Sequence, residues 1–116
     1  VVEPPSMRIR TLLLPALALG CALASLPAPA EPSPARQREL RHLVRQDCGS
    51  CHGMTLKGGL GTPLLPSALA GKPDALLIAT VLDGRPNTAM PSWRGLLSEA
   101  EATWIVAQLR AGLPED

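Results

Sequence analysis

The chain has 116 residues, 46% of them hydrophobic, and a formal net charge of +1 from 11 basic and 10 acidic side chains. That balance excludes the strongly basic footprint of a nucleic-acid binder, and the length suits one small domain. Three cysteines are too few for a disulfide framework, and with no Phe or Tyr, and Trp93 and Trp104 as the aromatics, the core is short of large side chains.

Residues 1–6 precede the expected initiator Met7 and read as an upstream remnant. Residues 7–30 read as an export signal. Met7-Arg8-Ile9-Arg10 is the basic start, Leu12 to Leu26 carries no charge, and Ala28-Pro29-Ala30 offers a cleavage site before Glu31. Ala22-Leu23-Ala24 is a second such site. Pro15 and Gly20 interrupt the apolar run, which disfavours a retained membrane helix. Cys21 could carry a lipid anchor, but Ala18-Leu19-Gly20 matches the usual preceding residues poorly. Cleavage would remove Cys21 and leave residues 31–116 as the working domain, with nine basic against nine acidic side chains.

Ser33-Pro34 predicts a helix start, a capping hydroxyl followed by proline at the first helical position. Leu40, Leu43 and Val44 recur at helical spacing toward Cys48. Arg36, Arg38, Arg41 and Arg45 on this segment read as a solvated face rather than a docking patch.

Cys48-Gly49-Ser50-Cys51-His52 follows, the Cys-x-x-Cys-His signature of c-type haem attachment. Each thiol can add across a haem vinyl group, and His52 is then carried beneath the iron as proximal ligand. A thioredoxin-like redox pair needs a βαβ setting that the flanking sequence lacks. A zinc site needs further ligands at suitable spacing, for which Cys21 and His42 are the remaining candidates. Both thiols are therefore expected to be used on one covalent haem c.

Residues 53–71 contain five glycines with Pro63 and Pro66 and read as an ordered loop. A second helix is predicted from Pro73 to about Leu82, stopped by Gly84. A proline-containing loop, Arg85 to Trp93, comes next. The last helix opens on the capping box Ser98-x-x-Glu101 and runs to a stop near Gly112.

Met90, in the loop before the last helix, is the expected sixth iron ligand, with Pro91 stiffening its loop. Met54 is too close to His52 along the chain to reach the opposite haem face, and His42 reads as a surface or packed histidine. With His52 and Met90 both bound, iron is low-spin with no open site, and the soft sulfur raises the potential. Such a site moves one electron and binds substrates badly.

These residues resemble a class I monohaem cytochrome c, and more narrowly the small periplasmic cytochromes c of denitrification (nir) gene clusters. The likeness runs from Arg41 to Arg110. It is carried by Asp47-Cys48-Gly49-Ser50-Cys51-His52-Gly53, Gly58-Gly59-Leu60-Gly61, Leu69-Ala70-Gly71-Lys72-Pro73 and Ala89-Met90-Pro91-Ser92-Trp93-Arg94. It implies an all-α fold, three main helices and ordered loops around the haem. It also implies export, since haem c is assembled outside the bacterial cytoplasm in this family. Pro63 resembles the family proline whose carbonyl accepts a hydrogen bond from the proximal imidazole. Trp93 falls where relatives place an aromatic against the haem. Two departures stand out: Leu40 occupies the place of a helix-crossing glycine, and Gln108 that of an aromatic, with Trp104 one turn earlier.

The function expected is that of a monomeric periplasmic electron carrier, not an enzyme. Its partners would be an upstream cytochrome, quinol-oxidising complex or cupredoxin, and downstream a cytochrome cd-type nitrite reductase. Lys57, Arg85 and Arg94 are candidate rim charges for docking. Rival readings are a partner in assembly or delivery of that reductase's specialised haem, and a ligand-binding haem protein with open iron.

Composition also bears on stability. If the macrocycle buried roughly 500 Å² at about 25 cal/mol/Å², it would contribute on the order of 12 kcal/mol. That matches the whole net stability of a typical domain, about 5–15 kcal/mol. The haem-free chain should therefore be largely unfolded, with a far-UV circular dichroism spectrum lacking the helical signal of the loaded protein; a native-like spectrum without haem would refute this.

Overall fold

In the computed structural model, which describes residues 30–114 together with 1–3, 5, 26 and 27, the first helix starts at the Ser33-Pro34 step. The Ser33 hydroxyl accepts the Arg36 N–H at 3.3 Å, and Pro34, which has no N–H to satisfy, takes the first turn of α1 (Pro34–Leu43). The predicted leader lies almost wholly outside the described residues, as does Cys21.

The helix does not stop at Leu43. It widens into a π-helical segment, Val44–Cys48, where the Gly49 N–H reaches back to the Val44 carbonyl, and resumes as α2 (Gly49–His52). The expected helix thus delivers the cysteine motif, but through a one-residue expansion that re-aims everything after Val44. Such expansions are frequent at functional sites.

Loop 53–65 is held by backbone bonds, Gly58 N–H to His52 O and Gly61 N–H to Cys51 O, both 2.8 Å, which fold it back over the motif. The long loop predicted over 53–71 is not wholly irregular. It contains one helical turn, α3 (Pro66–Leu69), started by proline at its first position and pinned by the buried Leu69. Then come α4 (Asp74–Asp83) and α5 (Glu99–Arg110). Among the described residues there is no strand, and the architecture is the all-α one expected.

Helix α5 is the hub against which α1, α3 and α4 pack. Leu40 and Val44, fully buried at i and i+4, share a core with Trp104, Ile105 and Leu109. Leu40, which stands where the family resemblance led us to expect a glycine, is fully buried in this core.

Side-chain ties reinforce these contacts. Ser98 and Glu101 form the predicted capping box. The Glu101 carboxylate also takes the Arg36 Nε at 2.6 Å, so the first turn of α5 is bound to the first turn of α1. Arg110 binds Asp74 at 2.5 Å and the carbonyls of Leu69 and Lys72, joining α5 to α3 and α4. Arg45 donates to the Pro114 carbonyl at 2.9 Å, and Arg41 lies 5.6 Å from the Trp104 ring centroid. The arginines read as a solvated face are thus mostly structural ties.

The hydrogen bond from Arg36 holds Glu101 below the ordinary glutamate range, helped by the backbone of Ser98. A folded value below the unfolded one means stability that is complete above about pH 4.3 and is lost as pH falls through the folded value. Glu101→Gln keeps a capping-box side chain but removes the charge. It should cost about 0.5–1 kcal/mol at pH 7, and that difference, read by urea unfolding, should shrink progressively as pH falls below about 4.3.

Candidate functional site

The helices do not close on one another. Between the cysteine motif, loop 60–64, α4, the Met90 loop and α5 lies a cavity of about 1070 Å³. Core residues Leu69, Leu97, Ile105 and Leu109 belong to its wall. Interiors pack at near-crystalline density with few voids larger than a water molecule. At about 24 cal/mol per Å³, a fifth of this volume left dry would cost about 5 kcal/mol, enough to unfold a marginal domain. A large apolar group has to fill it. A covalently held haem fits on three counts: the walls are mainly aliphatic, two thiols stand at one border, and one imidazole faces in with its second nitrogen free.

The thiols come from the end of the helical run. Cys51 is exposed and Cys48 half-buried, and they are not joined to each other. Burial, with the charge of Asp47 added, pushes the Cys48 thiol up to about 11. A redox pair of the thioredoxin kind needs the opposite, a depressed thiol. Among the described residues no group of three or more His, Cys, Asp or Glu could hold a metal ion, which leaves the zinc reading without ligands there.

His52 is oriented by the backbone. Its Nδ1 lies 2.6 Å from the Thr62 carbonyl, which can only accept, so Nδ1 carries the proton and Nε2 keeps its lone pair for a metal. This corrects the expectation for Pro63: the acceptor is the carbonyl one residue earlier. Pro63 acts on it indirectly, because a residue before proline is confined to extended conformations, which fixes where the Thr62 carbonyl points. Gly61 completes the seat. A Cβ there would stand 2.7 Å from Nδ1 and 2.8 Å from Cε1, so only glycine lets the chain pass beside the ring.

Met90 and Trp93, both half-buried, line the same cavity, as do Cys48, Cys51, His52 and Pro63. Met54 and His42 are exposed and are not among the lining residues. Of the expected rim charges, Arg85 lines the cavity, whereas Arg94 is bound to Asp83 at 2.6 Å and Lys57 lies apart. Sequence reasoning missed Gly61 and Thr62; the signal available was the residue preceding a proline ten positions after a ligand histidine. It also missed Lys72, which lines the cavity with its Nζ on the Ala68 carbonyl at 2.7 Å.

Comparison with known proteins places this geometry. A family model described as cytochrome c oxidase, cbb3-type, subunit III matches residues 35–109. Cytochrome c55X of Pseudomonas aeruginosa is 57% identical over 84% of this chain and 81% of its own length. Cytochrome c55X of Paracoccus denitrificans is 53% identical over 86% of this chain and 92% of its own. The dihydro-heme d1 dehydrogenase of Pseudomonas aeruginosa is 38% identical over 86% of this chain but only 19% of its own length. Among solved structures, the c-type cytochrome NirC superposes with a TM-score of 0.69 at 59% identity, covering 70% of this chain and 95% of that one.

The seat of His52 yields a direct test. Gly61→Ala should displace the ring, break its bond to Thr62 and destabilise the haem-loaded protein by about 1–3 kcal/mol. Pro63→Ala, which keeps the carbonyl and removes only the restriction on it, should cost under about 1 kcal/mol. Chemical denaturation, with the His52 Nδ1–H resonance as local probe, distinguishes the two.

Proposed function

The chain belongs to the class I c-type cytochromes and groups with cytochrome c55X, and from that premise we propose that it is a periplasmic carrier of single electrons to a cytochrome cd-type nitrite reductase. The observation that carries this reading is the pairing, on one cavity, of an imidazole with a fixed free nitrogen and a thioether in a stiffened loop. Haem c supplies one-electron exchange between ferrous and ferric iron.

In this reading the side chains of this chain have distinct tasks. Cys48 and Cys51 would hold the group by thioether bonds. His52 presents Nε2 because Thr62 holds the proton on Nδ1. Met90, on the same cavity, would supply the sixth ligand and keep small ligands out. The aliphatic wall of Leu77, Val81, Ile105 and Leu109 excludes water, so little solvent has to reorganise when charge arrives or leaves. Trp93 lines the same cavity as Met90. Electron exchange takes place at the border where Cys51 is exposed, and Arg85 supplies positive charge at the cavity for an acidic partner surface. Such encounters are small and short-lived, which suits a carrier that must part from its partner after each turnover.

The location rests on the leader: residues 7–30 direct export and are removed, and residues 31–116 work as a monomer. Upstream, a cytochrome, a quinol-oxidising complex or a cupredoxin supplies the electron.

A second reading is favoured by the likeness to part of dihydro-heme d1 dehydrogenase, a protein whose name says that it acts on dihydro-heme d1. The chain would then serve assembly or delivery of the reductase's cofactor. Tight binding of haem d1 by the purified protein would support it; transfer of electrons to the nitrite reductase without such binding would support the carrier.

The defining measurement is the visible spectrum, ferric and ferrous, with carbon monoxide added to the reduced form. The native protein should be low-spin, show the weak far-red sulfur-to-iron band and ignore carbon monoxide. Met90→Ala should lose the band, bind carbon monoxide and shift to a lower potential. An unchanged spectrum in that variant would remove Met90 from the ligand set.

A further inference from the structure

The loop bearing Met90 is tied along its length to the C-terminal end of α4. A helix leaves its last carbonyls without intrahelical partners, and here the loop itself supplies them. The Val81 carbonyl takes the Trp93 N–H at 3.2 Å. The Leu82 carbonyl takes both the Arg94 N–H at 3.0 Å and the Ser92 hydroxyl at 2.6 Å. Arg94 closes the arrangement from outside through its ion pair with Asp83.

Met90 has its own backbone satisfied on both sides. Its carbonyl accepts the Arg85 N–H at 3.2 Å, and its N–H donates to the Thr88 hydroxyl at 3.3 Å. Thr88 in turn donates to the Arg85 carbonyl at 2.7 Å. Two hydroxyls therefore stand two residues before and two residues after Met90. Each accepts an N–H two positions on, and each donates to a carbonyl nearer α4. Gly84, at φ +69°, lets the loop turn back this closely, since a Cβ there would lie 2.7 Å from the Met90 carbonyl oxygen.

We infer that Thr88 and Ser92 are positioning residues for Met90, registering its thioether to the end of α4 so that the sixth position stays occupied; the inference rests on Met90 being the sixth ligand. Backbone bonds hold the chain path, but Pro91 has no N–H to contribute. The hydroxyls supply the cross-ties around the place where that donor is missing. Without them Met90 leaves its position more often, and any small ligand that competes for it gains in proportion.

The test uses the haem-loaded protein in four forms: native, Thr88→Val, Thr88→Ser and Ser92→Ala. Both positions are exposed, and the substitutions change little volume. Three quantities are read: the far-red band of the ferric form through a pH titration, the rate of carbon monoxide binding to the ferrous form, and thermal stability. Thr88→Val and Ser92→Ala should each bind carbon monoxide measurably, at a rate at least about tenfold above the detection limit under which the native protein stays. Each should also lose the band about one pH unit earlier, the equivalent of a tenfold change in equilibrium. Thr88→Ser should behave as native. A native band that both variants retain at native pH, with only the melting temperature lowered, would overturn the positioning role while leaving Met90 as ligand. A native protein without the band would overturn the ligand assignment and the inference together.

Discussion

A cavity of about 1070 Å³ whose walls are the core itself cannot persist unfilled, and this constraint organises the molecule. Leu69, Leu97, Ile105 and Leu109 pack with the other buried residues on one side and face the cavity on the other. The filling group is thus the part of the core that the composition lacks. In a chain without Phe or Tyr, the apolar surface that aromatics would bring comes from the haem c of its family.

The two sides of the cavity are built on different principles. On the His52 side the chain doubles back tightly: motif and loop 53–62 are bonded to each other, and the ring is seated by a glycine and a carbonyl within that loop. On the Met90 side a longer segment hangs from the end of α4. The first is a local device, set by residues close in sequence, and the second depends on α4 being docked on α5. Both leave little freedom at the cavity, and an electron-transfer site gains from that, since rigid ligands change least between oxidation states.

What could be read in the sequence follows from how local each cause is. The Ser33-Pro34 start, the Gly84 stop and the Ser98/Glu101 capping box are set by neighbours within a few residues, and each stands where it was expected. The five-residue cysteine motif is local too. The π segment at Val44–Cys48 carries no comparable mark, because Val-Arg-Gln-Asp-Cys suits an ordinary helix and only the packing of what precedes and follows it selects the wider turn. The one-turn helix at Pro66–Leu69 was hidden by proline, which signals loops and helix starts alike. The displacement of the imidazole's partner from Pro63 to Thr62 has the same origin: the sequence marks the proline, whereas the oxygen that accepts belongs to the residue it constrains.

Charge is the remaining level, and here function depends on what structure has already taken. Arg36 is bound to Glu101, Arg45 to the Pro114 carbonyl, Arg94 to Asp83 and Arg110 to Asp74, while Arg41 lies over Trp104. Each of these guanidiniums joins elements distant in sequence or secures a loop. A core this poor in large side chains gains from ties that reach across helices, and arginine's several donors let one residue bridge a carboxylate and two carbonyls, as Arg110 does. The consequence for recognition is a narrowing. Charges that look in sequence like a basic surface on the first helix are largely engaged, whereas Arg85 and Lys72 stand on the cavity wall itself. The charged side chains on the cavity wall are then Arg85 and Lys72, with Asp47 as their acidic counterpart at the cysteine motif.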